Sequence, residues 1–218
     1  MRATKAMVGF IGLASWAVAL GLLTALHAAL GRLAEADREI QYGVHGWTSH
    51  WLRGVMLAFT WVGAVKMVVP AVVVVLGWLL GSGRRHTASV LGVAVGGAVV
   101  LNELLKLHFR RPRPAVPWAL GDEHTFSYPS GHALFAVTLY GVLVYLALRR
   151  GASTRRTVSV LLPAAVMVAG IGLSRIYLGE HFPSDVLAGY MTGLVWVAGV
   201  VGMDRAWRAQ AHSPAARR

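Results

Sequence analysis

The stretch VSVLLPAAVMVAGIGLSRIYLGEHFPSDVLAGYMTGLVWVAGVVGM (residues 158–203) holds two long apolar runs parted by LSRIYLGEHFPSD (173–185), which gathers an arginine, a glutamate, a histidine and an aspartate. A hydrocarbon core about 30 Å thick takes roughly 20 apolar residues per helix, so the two runs read as membrane helices and the polar insert as the turn joining them. Ionisable groups beside lipid are costly unless they are paired or put to use. The stretch therefore predicts both a membrane fold and a site at one end of it.

Four further runs bounded by charge or aromatic residues extend the pattern: Met7 to Leu30, Val65 to Leu80, Ala88 to about Leu107, and His132 to about Leu148. With Val158 to about Leu173 and Ser184 to about Met203 they make six spans, and the expected fold is an all-α polytopic membrane protein forming a single domain over residues 1–218. Composition agrees. The chain is 56 % hydrophobic and 14 % charged, with a mean hydropathy of +0.57, too apolar for an ordinary soluble domain. The segment EADREIQYGVHGWTSHWLRGVMLAFTWVG (35–63) is too polar and too rich in glycine to span cleanly. It reads as helical pieces in the outer interface, with Trp47, Trp51 and Trp61 at headgroup depth, or equally as a plain linker. An N-terminal signal peptide is the alternative for the first run, but about 20 apolar residues exceed the usual signal core and no small-x-small cleavage site follows, so a retained helix is expected.

Six crossings put both termini on one side. Arg2 and Lys5, Arg84 and Arg85, Arg149, Arg150, Arg155 and Arg156, and Arg205, Arg208, Arg217 and Arg218 fall on that side, which the positive-inside rule makes the cytoplasm. Residues 205–218 read as a basic, flexible tail near anionic headgroups. A formal charge of +12 raises the question of nucleic acid, but the arginines sit in short clusters between apolar runs rather than along one polar face. No nucleic acid and no obligate protein partner are expected. There is no cysteine, which excludes disulfides, thiolate catalysis and cysteine-bound metal.

Three polar clusters face the other side. In KLHFRRPRP (106–114), the helix is expected to end near Phe109 because Pro112 and Pro114 cannot continue it, and the stiffened turn would fold Arg113 back towards Lys106. A basic interfacial collar explains the same residues. In YPSGHA (128–133), Pro129, Ser130 and Gly131 lead into an apolar helix whose first N–H groups lack helical partners and attract anions. Gly131 lets a ligand approach the backbone, Ser130 adds a hydroxyl and His132 lies in the first turn; an ordinary serine cap with a chance histidine is the alternative. In the 173–185 stretch, His181 and Asp185 are four apart beside Pro183, so the carboxylate can accept a hydrogen bond from one ring nitrogen and leave the other with its lone pair outward, as a nucleophile requires. A structural His–Asp pair has the same spacing. Arg175 supplies a planar fork suited to phosphate oxygens.

Together these residues make a receptacle for a highly charged oxyanion. Asp185 is the one acid well placed among them, so no divalent metal and no cofactor are expected, and a phosphoryl group suits the donors. Outside the set, Glu103 is expected to pair with Lys106 or face another helix, and Glu180 to be solvated. His108, Arg110 and Arg111 are expected to meet headgroups, and Lys66 to reach the outer surface.

The three clusters resemble the signature of the type 2 phosphatidic acid phosphatase superfamily: K-x6-R-P, then P-S-G-H, then S-R-x5-H-x3-D. Here these are Lys106, Arg113 and Pro114; Pro129, Ser130, Gly131 and His132; Ser174, Arg175, His181 and Asp185. Every signature position is matched. The resemblance implies that His181 attacks phosphorus and forms a phosphohistidine, that Asp185 orients its ring, that His132 protonates the leaving oxygen and later activates water, and that Lys106, Arg113, Ser130, Gly131 and Arg175 bind the phosphoryl oxygens. It implies a lipid phosphate substrate in the cell membrane: undecaprenyl pyrophosphate first, phosphatidylglycerophosphate or phosphatidic acid as alternatives, or transfer of phosphate between lipids. A transporter is disfavoured because relay charges belong at mid-membrane depth and these lie at helix ends. A catalytically silent lipid-binding protein would be expected to lose parts of the signature. The soluble vanadate haloperoxidases of the superfamily share the residues without six membrane spans.

Overall fold

The computed structural model describes residues 2–121 and 125–211, and all of its regular structure there is helical. Seven helices follow one another: α1 (Arg2–His45), α2 (His50–Gly63), α3 (Val65–Gly81), α4 (Arg85–Phe109), α5 (Gly131–Leu148), α6 (Thr154–Tyr177) and α7 (Pro183–Ala211). Helices α1, α4, α5, α6 and α7 are each long and apolar enough to cross a bilayer, and α2 with α3, bent by 48°, make a sixth when the bent pair is counted as one broken span. The six-span expectation therefore holds, with boundaries within a few residues for α4, α5 and α6.

Two segments differ in detail. Residues 35–45 and 50–63 are helical, but 35–45 prolong α1, while Ser49 caps α2 by accepting a bond from Leu52 N at 3.1 Å. Trp47, Trp51 and Trp61 are exposed, whereas Asp37 and Gln41 are buried. The helix α1 runs past Leu30 because the polar residues that follow are good helix formers whose inward-facing members find protein partners. At the other end, 205–211 continue α7, and the remainder of the expected tail, 212–218, lies outside the described residues.

Helix α5 is the axis of the bundle, buried all round its first two turns from Gly131 to Thr138. Such a helix shows no amphipathic stripe because it has no wet face. It packs against α4, α6 and α7. The α5–α7 approach depends on Gly189 and Gly193, one turn apart: a Cβ on Gly189 would lie 2.5 Å from Ser130 O, and one on Gly193 2.8 Å from Val137 Cβ. Small residues at this spacing let two backbones meet in lipid, where apolar burial alone does not draw helices together. Trp196 of α7 lies over Gly97 and donates to Ala94 O at 2.8 Å, tying α7 to α4. Large apolar side chains such as Phe10, Leu13, Val74 and Leu194 face outward, as a lipid-facing surface requires.

Candidate active site

The site is built where α4 ends, α5 begins and α6 turns into α7. Arg110, in the left-handed region at φ 49°, ends α4 by returning its N–H to Lys106 O at 3.0 Å. The chain then passes Pro112 and Pro114 and turns back. Lys106 Nζ and Arg113 Nη2 both donate to Thr125 Oγ1 at 3.0 Å, and Arg113 Nε donates to Thr125 O at 2.8 Å. One threonine thus holds together Lys106 and Arg113 of the first cluster.

Ser130 precedes α5 but makes no side-chain cap bond, and its Oγ is buried without a hydrogen-bond partner. Its N–H bonds Asp185 O at 3.0 Å, which fixes the start of α5 to the start of α7. Gly131 makes a close approach: a Cβ there would stand 3.0 Å from Asn102 Oδ1, another buried atom without a hydrogen-bond partner, so that side chain would have to give way slightly. Asn102 Nδ2 donates to Glu103 Oε1 at 3.0 Å. Behind this turn Tyr128 is fully buried, donates to Leu23 O at 2.9 Å and packs against His27 and Phe109; burial raises its phenol pKa.

The turn after α6 delivers the remaining groups. Gly179, at φ 73°, closes against Val116 and Trp118, leaving no room for a Cβ, and the N–H groups of Glu180 and His181 return to Arg175 O. Arg175 donates to Thr60 Oγ1 of α2 at 2.6 Å, and its Nη2 lies 3.5 Å from Glu180 Oε2. Arg113 Nη1 reaches the same Glu180 oxygen at 3.3 Å, while Gly121 N donates to Oε1 at 3.0 Å. Glu180 is therefore buried at the meeting point of two guanidiniums, contrary to the expectation that it is solvated. Neighbouring residues point apart on a helix, but Glu180 and His181 lie in a turn where that rule does not apply.

His181 is fully buried. Its Nε2 lies 3.4 Å from Arg113 Nη1, which can only donate, so the lone pair belongs on Nε2 and the proton on Nδ1. Ser127 Oγ lies 3.4 Å from Nδ1 and donates a very short hydrogen bond to Asp185 Oδ2, whereas the direct Nδ1–Oδ2 separation is 3.7 Å. The expected direct His–Asp hydrogen bond is thus replaced by a path through a serine hydroxyl. Asp185 Oδ2 also accepts from Phe182 N at 2.9 Å, and Oδ1 from Arg111 Nη1 at 2.5 Å.

Arg111 is the largest departure from the expected set. Placed among headgroups by the sequence reading, it instead crosses the site, with Nη1 on Ser184 Oγ at 2.8 Å and Nη2 on Asp37 Oδ2 at 2.9 Å. Asp37 accepts from Ser184 N at 2.9 Å and from Ser184 Oγ at 2.5 Å. Phe182 lies 4.2 Å beneath the guanidinium. Buried charges persist only when paired and hydrogen-bonded, and each member here is. Sequence reasoning also missed Thr60, Asn102, Thr125 and Ser127.

An open cavity of about 730 Å³ brings the clusters together: Lys106, Thr125, Gly131, His132, Arg175 and Glu180 line it, with Lys66 and Glu103 at its side. Neither Arg113 nor His181 is among the lining residues: Arg113 touches two that are, Glu180 and Thr125, and the fully buried His181 lies one contact further in, 3.4 Å from Arg113 Nη1. Among the described residues no group of three or more His, Asp or Glu side chains is arranged to hold a metal ion.

A membrane bundle carrying this cationic cavity can be matched to known proteins. Residues 87–209 match the family model of the PAP2 superfamily. Phosphatidylglycerophosphatase B of Bacillus subtilis (strain 168) is 30 % identical over 184 residues, 84 % of this chain and 89 % of that one. Undecaprenyl-diphosphatase BcrC of the same organism is 26 % identical over 170 residues, 72 % of this chain and 78 % of its own. The crystal structure of a transmembrane PAP2-type phosphatidylglycerolphosphate phosphatase from Bacillus subtilis aligns with a TM-score of 0.77 and 28 % identity, over 88 % of this chain and 96 % of that one. The chain belongs to the PAP2 superfamily, in its integral-membrane lipid phosphatase branch.

Proposed function

We propose that the protein hydrolyses a lipid phosphomonoester or pyrophosphate at the extracytoplasmic face of the membrane, without a metal, through a phosphohistidine. The observation that carries this reading is the convergence of Lys106, Arg175 and His132 on one cavity, together with the 3.4 Å separation of His181 Nε2 from Arg113 Nη1. His181 Nε2 attacks phosphorus as the bond to the lipid oxygen breaks, and His132 gives that oxygen its proton. Water then attacks the phosphohistidine, His132 takes its proton, and inorganic phosphate leaves with His181 restored. Lys106, Arg113, Arg175, the Ser130 hydroxyl and the N–H groups at the start of α5 hold the equatorial oxygens as charge spreads over them. Asp185 acts on the ring through Ser127 and across the short gap to Nδ1.

Two substrates have specific support. Phosphatidylglycerophosphate is favoured by the greater identity and coverage of the relative named for it, and undecaprenyl diphosphate, the choice favoured on sequence grounds, by the BcrC relative. The test is phosphate release by the purified protein in detergent with a chelator present, from both lipids, phosphatidic acid and a soluble phosphomonoester. Turnover of one of the lipids with chelator is the expected result. Turnover confined to the soluble ester would overturn the lipid half of the reading, and dependence on added metal would overturn the chemistry.

A further inference from the structure

The opposite end of the bundle carries a second polar cavity that the reaction does not use. Helix α5 runs between them, from Gly131 at the catalytic cavity to Leu148 at the other, 18 residues or about 27 Å. This second cavity, open and about 690 Å³, is lined by Arg84, Arg85, Arg149, Arg150, Arg156 and Arg208 along with Gly83 and the first turn of α4. The acid set against these arginines is Asp204, which already receives His86 Nε2, Tyr145 OH at 2.5 Å and Arg208 Nε at 2.8 Å, with Arg149 Nη1 at 3.6 Å. Among the described residues, this one carboxylate leaves most of the positive charge of the six arginines uncompensated.

Two features separate this cavity from a plain basic collar. Arg84 gives α4 no side-chain cap, so the first-turn N–H groups of Arg85, His86 and Thr87 have no helical partner at a cavity wall. Independently, the Arg149 side chain is only 8 % exposed, and its Nη1 has no hydrogen-bond partner, although Nη2 donates to Thr87 Oγ1 at 2.8 Å. Charges that merely orient a membrane protein need no burial, and this buried nitrogen has only the ion pair to Asp204 at 3.6 Å in place of a hydrogen bond. Adjoining the cavity, and sharing Arg85 and His86 with it, is a groove of about 490 Å³ between α4 and α7, lined by Val90, Val93, Val200, Met203 and Trp207. His86 stacks on Trp207 at 4.0 Å where the two meet.

We propose that the arginine cavity binds the phosphoryl headgroup of an anionic phospholipid in the leaflet opposite the catalytic one, with an acyl chain lying in the groove between α4 and α7. A tetrahedral anion satisfies the Arg149 nitrogen and the open start of α4 at once, and the apolar groove beginning at His86 gives the chain a path into the bilayer. The site draws on no residue of the catalytic cavity.

The test uses the full chain in nanodiscs of phosphatidylcholine with increasing phosphatidylglycerol, read by the thermal unfolding midpoint. The midpoint is expected to rise with phosphatidylglycerol, because a ligand held by the folded state alone stabilises it. Arg149→Gln is expected to lose more than half of the rise. The double variant Arg84→Gln/Arg150→Gln, both exposed positions, should do the same with phosphate release unchanged, and it carries the test if Arg149→Gln does not fold. Arg113→Gln, at the catalytic end, should keep the rise. Val93→Trp, filling the groove, should lose it. A rise that survives both arginine variants overturns the site. A rise reproduced in the Arg113→Gln protein by inorganic phosphate alone and insensitive to Val93→Trp overturns the lipid and leaves a free phosphate as the occupant.

Discussion

The two ends of the bundle treat positive charge in opposite ways. At the catalytic end Lys106, Arg111, Arg113 and Arg175 are interleaved with Asp37, Glu180 and Asp185, and Thr60 and Thr125 take up donors between them. At the other end six arginines line one cavity, and two of them, Arg149 and Arg208, share the carboxylate of Asp204. Interleaving fixes each cation before any substrate arrives, which is what transition-state stabilisation needs, since a preorganised donor has no reorganisation left to undergo when charge develops. Surplus charge, held partly by exposed side chains, attracts an anion without demanding a single geometry for it.

Substitutions should accordingly separate into chemistry at one end and stability at the other. The deepest loss is expected at the two histidines. His181→Ala should reduce phosphate release to background and abolish acid-labile labelling of the chain by radiolabelled substrate, while the unfolding midpoint stays near that of the parent. His132→Ala should slow turnover by roughly 10² to 10⁴-fold, the usual contribution of a positioned acid–base group. It should be partly spared with substrates whose leaving group needs no proton. Full activity in either variant would break the assignment.

Arg111→Met follows. Removing one partner of a buried ion pair costs about 3–5 kcal/mol, because the other charge stays buried, and here two carboxylates, Asp37 and Asp185, would lose the same guanidinium. A large drop in thermal midpoint together with loss of activity is expected. At the far end, Asp204→Asn leaves Tyr145 and Arg208 a neutral acceptor but removes the charge beside the buried Arg149, so a comparable loss of about 3–5 kcal/mol is expected, with the rate of phosphate release unchanged. Equal effects of these two variants on turnover would remove the distinction between the ends.

How much of this was readable in advance depended on distance along the chain. The spans were legible because hydropathy is local, and α4 differs from its expected bounds by two or three residues at each end. The three clusters were legible because each lies at a helix end, where proline, glycine and charge are local marks. The partners that hold them were not. Asp37 meets Ser184 across 147 positions and Arg111 across 74, and nothing near either residue announces the contact. Asp37 was concealed further because hydropathy fell after Leu30 and the helix did not end there. One signal was available for Arg111: Pro112 and Pro114 hold RRPRP extended, where alternate residues share a side, so residues 111 and 113 were candidates to turn inward together.

Glu180 offers the finest test of the interleaved end, because it occupies two of the cations expected to hold phosphate. Its carboxylate keeps Arg113 and Arg175 in place, yet it also repels the incoming anion. Glu180→Gln retains much of the shape and removes the charge. A unit charge within about 5 Å of a bound phosphate is worth about 1 kcal/mol or somewhat more at a partly wet site. Inhibition by inorganic phosphate should therefore strengthen by about five-fold. Turnover should fall at the same time, since two guanidiniums lose the anion that anchors them. The split between tighter product binding and lower kcat is the diagnostic: weaker phosphate binding in Glu180→Gln would mean that the carboxylate serves only to hold the arginines, and that its charge is not felt by the substrate.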